Sequence, residues 1–255
     1  MIVERPSFME GLFFIIIIRN FISKIVEWCY NRKLYRNPVH GFKNLFYGVH
    51  MMAKEITFLN IDGNYGGDQN WLPEYSMRRG GCSTVVAVEL SACLRHIDKK
   101  YEALSPIGIY TSKEGFTEFS VEMFKYVYPK YRGLPSIHYF EECYNEYAAS
   151  VGMQVEYAKL PEHSSYEEAE NFLREWIDKG YPIACLVLEH ESRLIWDITW
   201  HWFTLTGYED TENGMDVIFG TYGEKCRLPF RSIWEKGNPE KRAEEGDVAG
   251  LIVIH

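Results

Sequence analysis

The pattern of apolar and polar positions changes part-way along the chain, from helical to strand-like. From Cys82 the run Ser-Thr-Val-Val-Ala-Val-Glu-Leu-Ser-Ala-Cys-Leu-Arg-His is apolar almost all round. A helix that is apolar on every face is buried, so this run predicts a central helix. Ser165 stands three residues before Glu168, and this capping box predicts another helix start. The helices predicted after the central one are 114–130, 137–150 and the capped segment, which runs through Trp176 to about Gly180.

Strand-like runs dominate the C-terminal part of the chain. Residues 181–188 form a continuous apolar run, which is typical of a buried strand. Asn213-Gly214 is a tight hairpin signal between two later runs. Helices followed by antiparallel strands predict an α+β fold, with a helical lobe at about 80–180 and strands at about 181–255. The predicted strands are 181–188, 199–208, 216–222, 225–230 and 250–254.

The segment before the central helix predicts a short helix and a strand within residues 41–60, the strand ending in Ile56–Leu59. A loop rich in Asp, Asn and Gly follows at 62–68, and its alternation resembles a calcium-binding loop. Pro73 stands where such a loop needs its closing acidic ligand. The loop is therefore predicted to be a turn rather than a cation site.

The N-terminus carries a strongly apolar run, Gly-Leu-Phe-Phe-Ile-Ile-Ile-Ile, at residues 11–18. Arg19, Lys24 and Glu27 interrupt it before it reaches the ~18 uncharged residues of a spanning helix. A helix or strand packed on the core is the first interpretation. A membrane-surface or partner-binding segment and a leader are the alternatives. The predicted division is an N-terminal helical extension at 1–55 and a catalytic-type domain at 56–255.

Composition narrows the classes of function. The formal net charge of −9 disfavours nucleic acid as a partner. The six cysteines form no Cys-x-x-Cys pair and show no zinc spacing, so no metal or other cofactor is expected. Six cysteines in 255 residues are sparse for a disulfide framework. Reduced thiols in the cytoplasm are therefore expected.

Cys82 is the strongest candidate for chemistry because of its position. Two glycines, Gly80 and Gly81, precede it and allow a sharp turn into the central helix. The free N–H groups and the dipole at a helix start favour a thiolate and supply donors for an oxyanion. Cys93, eleven residues further along the same helix, has none of these features and serves as an internal control.

His201 is the candidate base for this thiol. It opens the apolar strand His-Trp-Phe-Thr-Leu-Thr-Gly-Tyr, far downstream of Cys82. A histidine at a strand end can meet a helix N-terminus across a cleft and take the proton of the thiol. Further short motifs accompany this pair: Asp68-Gln69-Asn70-Trp71, Gly180-Tyr181-Pro182-Ile183, Gly207-Tyr208 and Gly220-Thr221-Tyr222-Gly223.

These motifs resemble papain-like cysteine peptidases, in particular the bacterial double-glycine-leader (bacteriocin-processing) branch, over roughly residues 56–230. The resemblance implies a papain-like fold whose central helix starts at the nucleophile. It implies a thiol hydrolase that cleaves a peptide or amide bond in a peptide or protein substrate. Cys82 matches the nucleophile, His201 the general base and Gln69 the oxyanion donor, with Asn70 as the alternative. Gln69 precedes Cys82 by 82 − 69 = 13 residues, so the insert Pro73–Arg79 is expected to loop out.

The chain departs from the family where the orienting residue belongs. The asparagine or aspartate that steadies the histidine falls at Gly220, which has no side chain. Thr221 and Asp216 are the open alternatives. Ser83 stands where many relatives have glycine or alanine. These departures leave two other functions open: a papain-fold protein that binds peptides or partners without cleaving them, and an acyl or amide transferase that uses the same dyad.

Overall fold

The computed structural model describes residues 52–129, 133–235, 237 and 246–255. These belong to the compact unit His50–His255. The apolar run at 11–18, and with it the predictions of a packed extension or a membrane or partner contact, lies outside the described residues. The same holds for the short helix predicted before residue 52.

Strands and helices alternate irregularly along the described residues. The strands are β1 (Ala53–Glu55), β2 (Asn60–Ile61), β3 (Asn64–Tyr65), β4 (Tyr110–Thr111), β5 (Tyr157–Pro161), β6 (Ile183–Val187), β7 (His201–Thr211), β8 (Gly214–Thr221), β9 (Glu224–Pro229) and β10 (Gly250–Ile254). The α-helices are α1 (Tyr75–Gly80), α2 (Cys82–Ile97), α3 (Lys113–Met123), α4 (Ile137–Ser150), α5 (Tyr166–Asp178) and α6 (Arg231–Trp234). Short 3-10 helices lie at Gln69–Trp71, Lys99–Leu104 and Arg193–Ile198.

The main sheet is antiparallel, with the strand order β5-β10-β6-β7-β8-β9. On the β7 edge that faces away from β8, β6 pairs with the first half of the strand and β1 with the second half. Gly207 lies at this second half, where a Cβ atom would stand 2.6 Å from the carbonyl oxygen of Lys54. The glycine of the Gly207-Tyr208 motif therefore admits the close approach of β1.

Alternation along the strands creates two apolar cores, one on each face of this sheet. Ala184, Leu186, Trp202 and Ile252 belong to the core that contains the buried face of α2. Their sequence neighbours Cys185, Phe203, Leu251 and Val253 belong to the core formed with α5 and α6. The sheet is thus covered by helices on both faces, which explains why its central strands are apolar throughout. The architecture is α+β with an antiparallel sheet, as predicted.

Several elements agree with the predictions in detail. Helix α2 begins at Cys82, and helix α5 begins with the predicted capping box. The Ser165 hydroxyl accepts from the Glu168 N–H at 3.2 Å, and the Glu168 carboxylate accepts from the Ser165 N–H at 2.8 Å. The hairpin turn at Asn213-Gly214 joins β7 and β8, and β10 has the predicted bounds.

Three predictions for secondary structure were wrong, and a strand was not predicted. The helix expected at 114–130 covers only Lys113–Met123. The strand expected at Ile56–Leu59 is an irregular connection between β1 and β2, because Phe58 and Leu59 turn into the core instead of pairing with a strand. The insert Pro73–Arg79 does not loop out; most of it forms α1. Strand β5 was not predicted, since Lys159 interrupts a run that is only half buried.

The Asp62 loop is a turn, as predicted. It closes the β2–β3 hairpin, with Asp62 and Gly63 at φ values of 49° and 87°. The Asn60 side chain accepts from the Gly63 N–H at 3.0 Å, and the Asp62 carboxylate accepts from the Lys113 N–H at 2.9 Å. Of the helices in the described part of the chain, none combines the length and apolar character that a membrane span requires.

Candidate active site

Cys82 is the first residue of α2, directly after the helix α1 that ends at Gly80. A Cβ atom on Gly81 would lie 2.4 Å from the Met77 carbonyl oxygen, and one on Gly80 would lie 2.8 Å from Pro129. Two glycines are therefore required to join the helices so tightly. This junction places the thiol at the start of the central helix.

Two features of its surroundings have opposite effects on the pKa of the Cys82 thiol. Burial is the larger influence and raises the pKa of Cys82 above its ordinary value, while the backbone N–H groups of Trp202, Ser83 and Cys82 itself lower it. The N–H groups at the helix start lower the pKa of the thiol, as expected, but burial outweighs them. The side chain is only 8% exposed, and removal from water disfavours the thiolate more than these donors stabilise it.

His201 is the first residue of β7 and is buried. Its Nε2 atom lies 2.9 Å from the Thr221 hydroxyl oxygen, in a hydrogen bond. The Tyr222 ring stacks on the imidazole, with centroids 4.8 Å apart and planes 13° from parallel. Burial lowers the pKa of His201 to about 4, so the ring is neutral at pH 7.

Of the two alternatives that the sequence left open, Thr221 is the one hydrogen-bonded to His201. Gly220 cannot carry a side chain without rearrangement, because a Cβ atom there would stand 2.7 Å from the Phe58 ring. Asp216 is engaged elsewhere, accepting from Arg227 Nε at 2.9 Å. The hydrogen bond between His201 Nε2 and Thr221 and the stacked Tyr222 ring together restrict rotation of the imidazole.

The backbone is strained on both sides of the histidine. Trp200, which precedes His201, has a φ of 54°, and Tyr222, which stacks on it, has a φ of 51°. Non-glycine residues rarely adopt this left-handed region, and each costs on the order of 1–3 kcal/mol. Such strain is typical of functional sites, where the surrounding structure holds a residue in an otherwise unfavourable conformation.

Cys82 and His201 line the same small cavity of about 10 Å³, together with Gln69, Thr221 and Tyr222. The structure thus brings all three predicted site residues to one place. Among the described residues, however, the only hydrogen bond of the imidazole joins Nε2 to the Thr221 hydroxyl, and no hydrogen bond joins the ring to the Cys82 sulfur. In this state the two side chains are neighbours across the cavity rather than an ion pair.

Gln69 is fixed by the helix that replaced the expected loop. Its Nε2 atom donates to the carbonyl oxygen of Arg78 at 2.8 Å, while its Oε1 atom is buried without a partner. The Arg78 guanidinium donates in turn to the Leu72 carbonyl at 2.8 Å. The alternative, Asn70, is exposed and its side-chain amide donates to Asp68 at 2.8 Å. Gln69 is therefore the amide at the cavity.

Glu89 is a further residue of the cavity that the sequence reasoning missed. It lies on α2, is 1% exposed, and burial raises its pKa to about 7. A carboxylate inside the otherwise apolar run of α2 was the available signal, because a buried charge needs specific partners.

The remaining thiols give no sign of a second reactive site. Within the described residues, none of the five cysteines forms a disulfide: Cys82, Cys93, Cys143, Cys185 and Cys226. Burial raises the pKa of Cys93 well above its ordinary value, with a further contribution from the charge of Glu89. Burial alone raises the pKa of Cys185.

Comparison with known proteins adds no relative to this picture: no family model, no curated protein and no solved structure matches the chain.

Proposed function

We propose that this protein is a thiol hydrolase of the papain-like type, which cleaves a peptide or amide bond through Cys82 and His201. The observation that carries the proposal is the shared cavity. It combines a thiol at a helix start with a neutral histidine whose far nitrogen is hydrogen-bonded to Thr221. A nucleophile, a base and a group that orients the base are the three parts that nucleophilic catalysis requires.

The first step is attack of the Cys82 sulfur on the substrate carbonyl carbon. The thiol proton passes to Nδ1 of His201, which accepts it when the Nε2–H donates to Thr221. Burial keeps the ring neutral at pH 7, which leaves a lone pair for the thiol proton, but a pKa of about 4 makes it a weak base before substrate binds. As the carbon–nitrogen bond breaks, His201 returns this proton to the leaving amine, and water then hydrolyses the thioester.

The negative oxygen of the tetrahedral intermediate needs hydrogen-bond donors. The Cys82 N–H lies at the start of α2, where first-turn N–H groups have no intrahelical partner. Gln69 Nε2 carries two hydrogens and donates one to Arg78, which leaves the other for the oxyanion. Helix α1 anchors this amide through the Arg78 carbonyl, so the donor is held in place before substrate binds.

The resting state is a neutral thiol and a neutral imidazole. The opposite pKa shifts of Cys82 and His201 have one cause, burial, which disfavours both charged forms. Catalytic hydrogen bonds are often long or misaligned before substrate binds. We infer that substrate binding brings the imidazole onto the sulfur.

A second candidate is a papain-fold protein that binds peptides without cleaving them. The missing hydrogen bond between His201 and the Cys82 sulfur favours it, as does the low exposure of both side chains. The dyad also suits an acyl or amide transferase, in which an amine takes the acyl group from the Cys82 thioester instead of water.

One experiment separates these functions. A diverse peptide library is incubated with the wild type, with C82A and with H201A, and products are identified by mass spectrometry. The hydrolase gives new termini only with the wild type. Peptides retained by both wild type and C82A without new termini support the binding protein. Products extended by an added amine support the transferase. Equal cleavage by C82A would refute the proposed nucleophile.

A further inference from the structure

Glu89 lies on the same face of α2 as the nucleophile. It follows Cys82 by seven residues, or about two helical turns, a spacing that repeats one face of a helix. Both residues line the same cavity, together with His201. The proposed reaction gives Glu89 no role, although a fully buried carboxyl group is costly to retain without one.

The two oxygens of Glu89 are held by two different elements. Oε1 accepts from the backbone N–H of Gly67 at 2.8 Å, and Oε2 accepts from the hydroxyl of Thr204. Gly67 stands two residues before Gln69, and Thr204 stands three residues after His201. One carboxyl group therefore connects the helix of the nucleophile with the loop of the oxyanion donor and the strand of the base.

The loop is shaped to approach this carboxyl group closely. A Cβ atom on Gly66 would lie 2.5 Å from Glu89 Oε1, and its φ of 76° also favours glycine. A Cβ atom on Gly67 would stand 2.1 Å from the Phe116 ring. The Gly67 carbonyl in turn accepts from the Gly223 N–H at 2.9 Å, next to Tyr222. Both backbone groups of Gly67 are thus fixed. Glu89 holds the N–H, and the turn between β8 and β9 holds the carbonyl.

The partners of Glu89 are hydrogen-bond donors rather than cations. Among the described residues it forms no ion pair with a lysine, arginine or histidine. A group required only for stability has no need to be an acid here, since an apolar side chain would cost less to bury. What the Gly67 N–H requires is an acceptor oxygen at this point.

We propose that Glu89 is a positioning residue, which fixes the Gly67–Gln69 segment relative to Cys82 so that the Gln69 amide meets the oxyanion. The inference rests on the proposed thiol chemistry. It assigns Glu89 no contact with the reacting atoms. We expect its effect on steps that form an oxyanion, because its bond to the Gly67 N–H acts on the loop of the donor rather than on the thiol.

Two probes of Cys82 separate positioning from a general structural role. Acyl transfer from p-nitrophenyl acetate passes through an oxyanion, whereas alkylation by iodoacetamide is a direct displacement that forms none. E89L removes the acceptor, E89Q keeps an oxygen for Gly67 and an N–H for Thr204, and T204V removes only the Thr204 bond. Unfolding midpoints of all variants are measured alongside the two rates.

The proposal predicts that E89L lowers the rate of nitrophenol release at least 10-fold while its alkylation rate stays within 2-fold of the wild type. E89Q is expected to retain most of the acylation rate, and T204V is expected to lose less than E89L. Parallel loss of both rates with a lower unfolding midpoint would make Glu89 a structural residue only. Unchanged acylation in E89L would also overturn the proposal.

Failure of the proposed function gives a different result. A wild type that is alkylated at Cys82 but releases no nitrophenol is not a thiol hydrolase. Hydrogen exchange at residues 66–70 then decides the positioning role. Faster exchange in E89L with wild-type protection in E89Q supports it, and equal protection in E89L contradicts it. E89Q provides this test even where E89L fails to fold.

Discussion

Cys82 and Cys93 are two buried thiols on one helix, about three turns apart, and their surroundings differ in their hydrogen-bond donors, nearby charge and access to a cavity. Burial raises the pKa of both. At Cys82 three backbone N–H groups oppose this rise, and the side chain borders a cavity shared with a histidine. At Cys93 the charge of Glu89 adds to the rise. The comparison shows that position, rather than the thiol itself, decides whether a cysteine can act as a nucleophile.

The largest expected effect is the difference between the two cysteines when each is replaced by alanine. Because Cys82 is the proposed nucleophile, C82A is expected to lower kcat/KM by at least about 10⁴-fold on any substrate found with the peptide library. C93A is expected to stay within about 2-fold, since Cys93 only fills space in the core. Comparable losses of kcat/KM in both variants would contradict the proposed difference between Cys82 and Cys93.

The hydrogen bond between His201 and Thr221 is the next feature that sets the site of Cys82 apart from that of Cys93. T221V keeps the shape of the side chain but leaves the far nitrogen of His201 without a partner. We expect kcat to fall about 10- to 10³-fold with little change in KM, because the ring is less well oriented in the transition state. T221S keeps the hydroxyl and is the matched control. Wild-type kcat in T221V would show that Thr221 does not orient the base.

Burial of the neutral histidine predicts a pH-dependent stability. The pKa of His201 is about 4 in the folded protein and about 6.5 in the unfolded chain, so the unfolded chain binds the extra proton between these values. Above about pH 6.5 the protonation of His201 does not affect the free energy of unfolding. As the pH drops towards 4, protonation of the unfolded chain lowers this free energy by up to about 3 kcal/mol.

Urea unfolding of the wild type and H201Q at pH 7 and pH 4.5 measures this contribution. Glu89 titrates in the opposite sense, because its folded pKa is raised, so stability from that group falls as the pH rises from about 4.5 to 7. The difference between wild type and H201Q cancels the Glu89 contribution, which is present in both. A difference that does not change with pH would mean that burial does not lower the pKa of His201.

Substitution of Gly220 is expected to have the smallest effect, which is on the free energy of unfolding. In G220A the new Cβ atom meets the Phe58 ring, and we expect a loss of about 1–3 kcal/mol in unfolding free energy with the hydrogen bond between His201 and Thr221 intact. G220N is expected to lose at least as much stability and to gain no activity. Higher activity in G220N would mean that the family's usual orienting position is still available here.

Near the site, some elements could be predicted from the sequence and others could not. The apolar run after Cys82 predicted α2, and the capping box predicted α5, because both signals are local. Thr221 could not be chosen over Asp216, since the choice depends on which neighbour is already engaged. The reason for Gly220 also lies far away in the sequence, because the ring that fills its side-chain space belongs to Phe58.

Glu89 shows a different limit of the sequence. Its helix and its burial followed from the pattern, but its partners come from a loop and a strand that the fold alone brings together. The same holds for the Gln69 amide, whose anchor is α1, a helix predicted to be a loop. Helix α1 was missed because it is only six residues long and begins two residues after Pro73.

Site-specific acylation tests the central claim most directly. The wild type and H201A are each treated with p-nitrophenyl acetate at pH 7, and the acetylated fraction of each cysteine is measured by peptide mass spectrometry. Our account predicts acetyl transfer to Cys82 in the wild type, loss of most of it in H201A, and none at Cys93 in either protein. Equal acetylation of Cys82 with and without His201, or acetylation of Cys93 at the same rate as Cys82, would contradict it.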